Sequence, residues 1–347
     1  MPPSGKRKVL PMSAIEQLLA SYVLNAAWQI PLFYCACAGV LKMRRRTPPG
    51  VLHGSWLLCI ALAVGLPITG ALGLYAPGPV NAGPSLPNPP RELWQAVLGL
   101  AILASAYRLF TLIRAGIEAW RLVRSSAVAV IVDARAHGAR VYISPATARL
   151  HGPLVVGLFR HRIFIPPSLA DPANARLLRA ALAHELAHVA RRDMLLFVVS
   201  ELALVPLSFH PVTALLRRKL AEAREMACDQ RVIDEGMDRF EYARCLLEIS
   251  AGVAAAPGRI GALAAGTSAL ERRIQALIAP KSEAAARFGL RAWSPAVLCV
   301  AFCSILFAQG SRSVYLWVSA VAAPSVLSLL PPVPPPPPPP PTRNHHP

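Results

Sequence analysis

Two histidines and one glutamate form the pattern with the clearest chemical potential, the run H-E-L-A-H at positions 184–188. On a helix, His184 and His188 project from one face about one turn apart. Two imidazole nitrogens so placed can bind one tetrahedral Zn²⁺, and Glu185 can touch a metal-bound water without ligating the metal. The spacing therefore predicts a zinc site with a carboxylate base beside it.

The alternative is a solvated pair of histidines on a helix surface. The neighbouring residues disfavour it, because they are mostly Ala and Leu and the pair lies in the apolar half of the helix. A catalytic zinc site also needs a third protein ligand. Glu225 and Asp229 are again four residues apart. We expect Glu225 to bind the metal and Asp229 to hydrogen-bond a ligand histidine.

These residues require helices that pack against each other. Helices are expected over about 172–192, over 211–236 and from 238 onward, and short strands over 127–134, 140–144 and 162–166. Asp171 is a favourable N-cap for the first helix and Asp238 for the third. The apolar linker 194–209 is long enough to let the first two helices pack antiparallel. We expect the strand around Ile163–Ile165 to form a sheet edge on which an extended peptide adds.

Composition indicates a membrane protein. Hydrophobic residues make up 54% of the 347 residues and charged residues only 16%, against roughly 25% in soluble domains. Residues 1–116 are expected to hold three membrane-spanning helices, at about 18–41, 55–75 and 93–113. A shorter fourth span is expected at 292–310. Arg108, inside the third run, must reach the interface or face a protein neighbour.

The basic residues predict the orientation. Four follow the first apolar run and others flank the third and fourth, whereas the loop 76–92 holds only Arg91. We therefore expect residues 117–291 to form a cytosolic domain of a protein of the bacterial inner membrane. The basic residues at 6–8 disagree with an external N-terminus, and initiation at Met12 would remove them.

The tail 311–347 is apolar at first and then almost pure proline from 331 to 341. Such a run forms an extended polyproline II rod. We expect the tail to be disordered and extracytoplasmic, where an envelope partner would contact it. Whether 314–330 re-enters the membrane stays open.

The chain resembles the bacterial membrane-sensor metallopeptidases typified by the BlaR and MecR antibiotic sensors. The resemblance rests on GLFRHRIFIPPSL (157–169), AHELAHVARRD (183–193), FHP (209–211), RRKLAEAREMACDQRVI (217–233) and, more weakly, LERRIQAL (270–277). It implies a gluzincin-type endopeptidase with one zinc bound by His184, His188 and Glu225. Glu185 would then be the general base. Arg273 begins an Arg-Ile pair similar to that of HtpX-type membrane proteases, which implies a place behind the ligands or near the oxyanion.

The implied fold is α+β, with multi-pass membrane helices and an inserted, mainly helical protease domain that carries a small β-sheet. The antibiotic sensors end in a penicillin-binding domain with a nucleophilic serine. No S-x-x-K occurs in 311–347, so we do not expect β-lactam sensing by that route. By analogy, the expected role is signal transduction by cleavage of a cytosolic transcriptional repressor, or of the protease itself, with a homodimer as one option.

Two other functions compete with this one. A non-catalytic membrane scaffold would keep a structural zinc, but such a site has no need of Glu185. A nucleic-acid binder would suit the formal net charge of +18. It would interleave aromatic and basic residues, and aromatic residues in 117–291 are few. We therefore expect no direct contact with nucleic acid.

Overall fold

The computed structural model describes residues 13–43, 47–72, 74, 91–125, 139–144, 150, 152–254, 263–279, 307, 310, 311, 313 and 314. The helices are α1 (Ala14–Met43), α2 (Pro49–Ala71), α3 (Arg91–Ser125), α4 (Ala175–Arg191), α5 (Asp193–Ala203), α6 (Val212–Asp234), α7 (Arg239–Ala254) and α8 (Leu263–Ile278). The strands are β1 (Arg140–Ile143), β2 (Leu154–Val156) and β3 (Arg162–Ile165). The expected combination of many helices with one small sheet is confirmed.

Among the described helices, α1, α2 and α3 are long and apolar enough to cross a membrane, which confirms three membrane-capable helices at the predicted runs. With 35 residues, α3 is about 52 Å long and exceeds a hydrocarbon core of ~30 Å. Its last turns continue onto the sheet, where Leu122 and Val123 pack against Tyr142 and Phe164.

The predicted strand 127–134 lies outside the described residues, and so does most of the predicted fourth span 292–310. Phe307 is described, and its ring stacks on Phe33 of α1 with centroids 4.0 Å apart. Ser311 accepts a hydrogen bond of 2.7 Å from Gln29 Nε2. Described residues of this segment therefore pack against α1.

The sheet has the strand order β1-β3-β2, with β1 parallel and β2 antiparallel to β3. The expectation that Ile163–Ile165 forms an edge is therefore wrong, because β3 is hydrogen-bonded on both sides. A tight turn joins β2 to β3. Gly157 in that turn has φ +109°, and a Cβ there would lie 2.2 Å from the carbonyl oxygen of Arg160, so only glycine fits.

Helix boundaries near the H-E-L-A-H run agree with the sequence. A 3-10 turn at Pro172–Asn174 precedes α4, and Asp171 caps it by accepting a hydrogen bond from Ala173 N. The segment 194–209, expected to be a linker, is instead largely the helix α5 followed by a 3-10 turn at Val205–Leu207. Its residues are apolar on nearly all faces, so helical periodicity does not distinguish it from a linker.

Candidate metal centre

His184 and His188 lie on α4, which packs against both α6 and α7. The helix ends at Arg192, whose backbone adopts the left-handed conformation with φ 57° and whose amide donates to the carbonyl of His188. This turn ends α4 and starts α5 at the next residue. Asp193 consequently faces back toward His188, with 2.9 Å between Oδ2 and Nδ1.

Glu225 on α6 brings a carboxylate to both histidines. Its oxygens lie 3.3 Å from His184 Nε2 and 3.9 Å from His188 Nε2. Zinc bonds of ~2.0–2.2 Å in tetrahedral geometry separate ligand atoms by roughly 3.4 Å, so the three groups could hold one zinc ion. Glu225 contacts both histidines, whereas Asp229, one turn further along α6, contacts His184 on the earlier turn of α4, the order expected of antiparallel helices.

The second ring nitrogen of His184, Nδ1, faces a buried polar cluster. It lies 2.9 Å from the hydroxyl of Tyr242 and 3.3 Å from Asp229 Oδ1. Tyr242 donates its hydroxyl hydrogen to Asp229 over 2.8 Å, and Arg273 donates two hydrogen bonds of 2.7 Å to the two oxygens of Asp229. The cluster orients the imidazole of His184 so that Nε2 points to Glu225.

Arg273 also approaches Glu225, with 3.6 Å between Nη1 and Oε2. Its guanidinium therefore lies behind two of the carboxylates around the site. Of the six residues singled out from the sequence, five are joined by these contacts: His184, His188, Glu225, Asp229 and Arg273. The sixth, Glu185, lines the same cleft.

His188 is held by a different carboxylate. Asp193 Oδ2 lies 2.9 Å from His188 Nδ1, and it also accepts hydrogen bonds from Cys228 Sγ at 3.0 Å and Arg191 Nε at 3.2 Å. Arg191 in turn contacts His53 Nδ1 of α2 over 3.1 Å. The second histidine is thereby connected to one of the membrane-capable helices.

A second group of potential ligands, His188, Asp193 and Cys228, shares one of these histidines. Burial and the neighbouring Asp193 raise the pKa of the Cys228 thiol, so it stays protonated and serves as a donor to Asp193. A thiol must lose its proton to bind a metal. The group of two Nε2 atoms and Glu225 is therefore the better metal site, since its imidazoles are already oriented by hydrogen bonds at Nδ1.

The carboxylates around the site stabilise a positive charge. Burial lowers the pKa of His184, but hydrogen bonds to Asp229 and Glu225 outweigh burial and raise it to about 9. Burial raises the pKa of Glu225, yet the hydrogen bond and charge of His184 hold it well below its usual range. The pKa of Asp229 is lowered to about 2, because its hydrogen bonds and charge interactions with Arg273 and His184 outweigh the effect of its burial. Without metal, His184 is therefore protonated, and its positive charge lies between the carboxylates of Glu225 and Asp229.

A cleft of about 330 Å³ opens beside these groups. Glu185 lines it, and burial raises the pKa of its carboxyl, as suits a group that exchanges protons. Residues of β2 and the turn after it form the facing part of the lining, including Leu154, Val155 and His161. Within the described part of the chain, Nε2 of His161 is buried without a hydrogen-bond partner.

A family model described as BlaR1 peptidase M56 matches residues 92–277, more than half of the chain. The chain belongs to this family. Membership makes it a membrane-associated metallopeptidase and implies a metal, typically zinc. In this M56 peptidase the matched region runs from the start of α3 almost to the end of α8, so it contains every residue of the centre described above except His53. A comparison with curated proteins gives no match.

Sequence reasoning missed two residues that contact the candidate ligand histidines of this M56 peptidase. Asp193 lies at the end of the A-H-E-L-A-H-V-A-R-R-D block, but its contact with His188 depends on the left-handed turn at Arg192. Tyr242 comes from α7, and no local spacing connects it to His184. A buried tyrosine needs a partner for its hydroxyl, but the burial of Tyr242 becomes known only from the structure.

Proposed function

We propose that this M56 peptidase is a gluzincin-type zinc endopeptidase. In this proposal His184, His188 and Glu225 bind one zinc ion and Glu185 is the general base. One observation carries it: both Nε2 atoms face Glu225, while Nδ1 of His188 contacts Asp193 and Nδ1 of His184 contacts Tyr242 and Asp229. In protein zinc sites, one ring nitrogen of a ligand histidine binds the metal and the other is typically hydrogen-bonded to a carboxylate.

When bound, zinc would polarise a water molecule and the carbonyl of a peptide bond. Glu185 accepts the proton of the attacking water and returns it to the departing amine. The raised pKa of Glu185 suits both steps, because a carboxyl with a pKa nearer neutrality both takes and releases a proton readily. Asp229 and Asp193 keep the two imidazoles oriented and place negative charge beside the metal site.

The substrate is proposed to be a peptide in extended conformation. β2 pairs with β3 on one side, and its residues Leu154 and Val155 line the cleft. A peptide that pairs with the other side of β2 would pass in front of Glu185, which moves the proposed docking edge from β3 to β2. His161 on the same wall offers an imidazole nitrogen to the peptide.

The proposed biological role is signalling at the bacterial inner membrane. Lys and Arg are concentrated at the C-terminal ends of α1 and α3, which favours a cytosolic location of the metal centre. A transcriptional repressor, or the protease itself, is the proposed substrate.

Zinc content and cleavage of the detergent-purified protein test this proposal. Glu185→Gln should retain one zinc per chain and lose cleavage of itself, or of a co-expressed repressor, by at least about 100-fold. Glu225→Gln should lose both zinc and cleavage. Glu248→Gln is the matched control, because Glu248 is exposed and pairs only with Arg176 among the described residues; it should resemble wild type.

Absence of zinc from the wild type would show that the ligand assignment is wrong. Zinc binding without cleavage of any tested substrate would instead favour a membrane scaffold with a structural zinc. Unchanged cleavage in Glu185→Gln would show that Glu185 is not the general base.

A further inference from the structure

We infer that α5, the turn after it and the first five residues of α6 form a re-entrant hairpin inside the bilayer. The hairpin comprises residues 194–216, and its outer surface is covered by lipid acyl chains. Part of the region expected to be a cytosolic domain would then lie in the membrane, and the metal centre would lie at the membrane surface. The inference concerns membrane insertion and does not depend on the proposed catalytic chemistry.

The composition of the hairpin is that of a membrane segment. Glu201 is the only charged residue among 194–216. Large apolar side chains point outward from α5, with Val199 56% and Leu202 51% exposed. A helix on the surface of a soluble domain carries a polar outer face, whereas the outer face of α5 is apolar and its fully buried residues are the polar Asp193, Ser200 and Glu201. An apolar outer face is stable against lipid acyl chains, whereas in water it would form an exposed hydrophobic patch.

The one charge in the hairpin is neutralised in the way membrane interiors require. Glu201 is buried and forms ion pairs with Arg108 of α3 and, at 3.0 Å, with Arg217. Charged residues inside membranes face protein and pair with one another. Arg108 lies within the apolar run of α3, so this pair joins the hairpin to a helix that is itself long enough to span the bilayer.

The tip of the hairpin reaches the middle of the membrane-capable helices. His210 Nε2 lies 3.3 Å from the carbonyl oxygen of Ala27, close to the midpoint of the 30-residue helix α1. Phe209 packs against Leu98 and Ala101 of α3. One buried core joins the hairpin to α1 and α2; its members include Ile30, Phe33, Ile60, Leu204, Leu207 and Leu216.

Both ends of the hairpin continue into segments that contact the metal centre. Asp193, just before it, contacts His188, and Glu225, beyond it on α6, contacts His184. The 11 residues of α5 rise about 16 Å, roughly half of a hydrocarbon core of ~30 Å. The segment therefore enters and leaves the bilayer on one side, in agreement with a tip at the level of Ala27.

A contact beside the hairpin indicates the depth of the metal centre relative to the membrane. Arg191, beside the hairpin entrance, bonds His53, which lies near the first residues of α2 and before its apolar run. The centre consequently lies at the boundary between bilayer and water, on the side where α1 ends at Lys42. A protein substrate must bring its scissile segment to that surface.

Lipid photocrosslinking tests this inference on the unaltered full-length chain. The protein is placed in nanodiscs of phosphatidylethanolamine and phosphatidylglycerol that contain a phospholipid with a diazirine at the end of one acyl chain. Mass spectrometry should find labels in residues 194–209 as frequently as in α3, and none in α7. Labels in α3 without labels in 194–209 would overturn the inference.

A matched pair of substitutions provides an independent test. Leu202 in α5 and Leu247 in α7 are both helical leucines, 51% and 49% exposed. In the same nanodiscs, Leu202→Arg should lower the melting temperature by about 5–10 °C, since it brings a charge among acyl chains, while Leu247→Arg should change it by no more than about 2 °C. Equal, small shifts would mean that both residues face water. Zinc content serves as a separate readout, so failure of the proposed metal site would be distinguished from failure of the membrane insertion.

Discussion

Asp193→Asn is the perturbation that most directly tests how the centre is assembled. One oxygen of Asp193 receives three donors: His188 Nδ1 at 2.9 Å, Cys228 Sγ at 3.0 Å and Arg191 Nε at 3.2 Å. Asn preserves the size of the side chain and removes its charge. The amide oxygen is a weaker acceptor than the carboxylate, so it would hold the imidazole of His188 less firmly.

The expected loss follows from the supporting role of this carboxylate. Replacement of a carboxylate that orients a ligand histidine typically lowers metal affinity about 10–100-fold, or about 1.4–2.7 kcal/mol. We expect this range for zinc, and an accompanying fall in cleavage. Zinc affinity is measured by competition with a chromophoric chelator, and Asp234→Asn is the control. Asp234 is exposed on α6 and accepts a hydrogen bond from Gln230, so its replacement should leave zinc affinity unchanged.

Asp193 also lies in the first turn of α5, where a negative charge interacts favourably with the helix dipole, by about 0.3–1 kcal/mol. A lower melting temperature alone would therefore report the loss of this helix interaction. If Asp193→Asn bound zinc within twofold of wild type and cleaved normally, the orientation of His188 would not depend on Asp193, and our reasoning about the second imidazole would be refuted.

Two further predictions follow from charges in the structure. Because the pKa of His184 is raised to about 9 without metal, zinc must displace a proton below that pH. Apparent affinity should rise about tenfold per pH unit from 6 to 9 and then level off; a flat profile in chelator competition would contradict this. Glu201→Gln leaves Arg108 and Arg217 without their buried anion and should destabilise the protein by about 3–5 kcal/mol in thermal unfolding, whereas the exposed Glu248→Gln should cost less than about 1 kcal/mol.

Sequence alone was sufficient where local spacing controls the geometry. Residues four apart on a helix share a face, so His184 with His188, and Glu225 with Asp229, could be assigned to common faces before the fold was known. The structure brings these two faces together. Asp193 and Tyr242 could not be assigned, since their contacts depend on a left-handed turn and on the packing of α7 against α4.

The error about β3 has a different origin. Alternation of side chains identifies a strand, but strand order depends on pairing between residues distant in sequence. Ile163–Ile165 is buried on both sides by neighbours that no local pattern reveals. The edge that lines the cleft belongs instead to the three-residue strand β2, which is too short to give a periodic signal.

The chain segment between His188 and Glu225 is long, and its packing explains how these two residues come together. A flexible loop of that length would lose conformational entropy when its two ends met at one metal. Here most of the interval is helical, and some of its apolar residues, including Leu204, Leu207 and Leu216, are buried against α1 and α2, while Phe209 packs against α3. Burial of apolar surface offsets the cost of ordering the chain, so the packing of the hairpin itself brings Glu225 back to the histidines. The membrane-capable helices are thus part of the framework that brings Glu225 to His184 and His188.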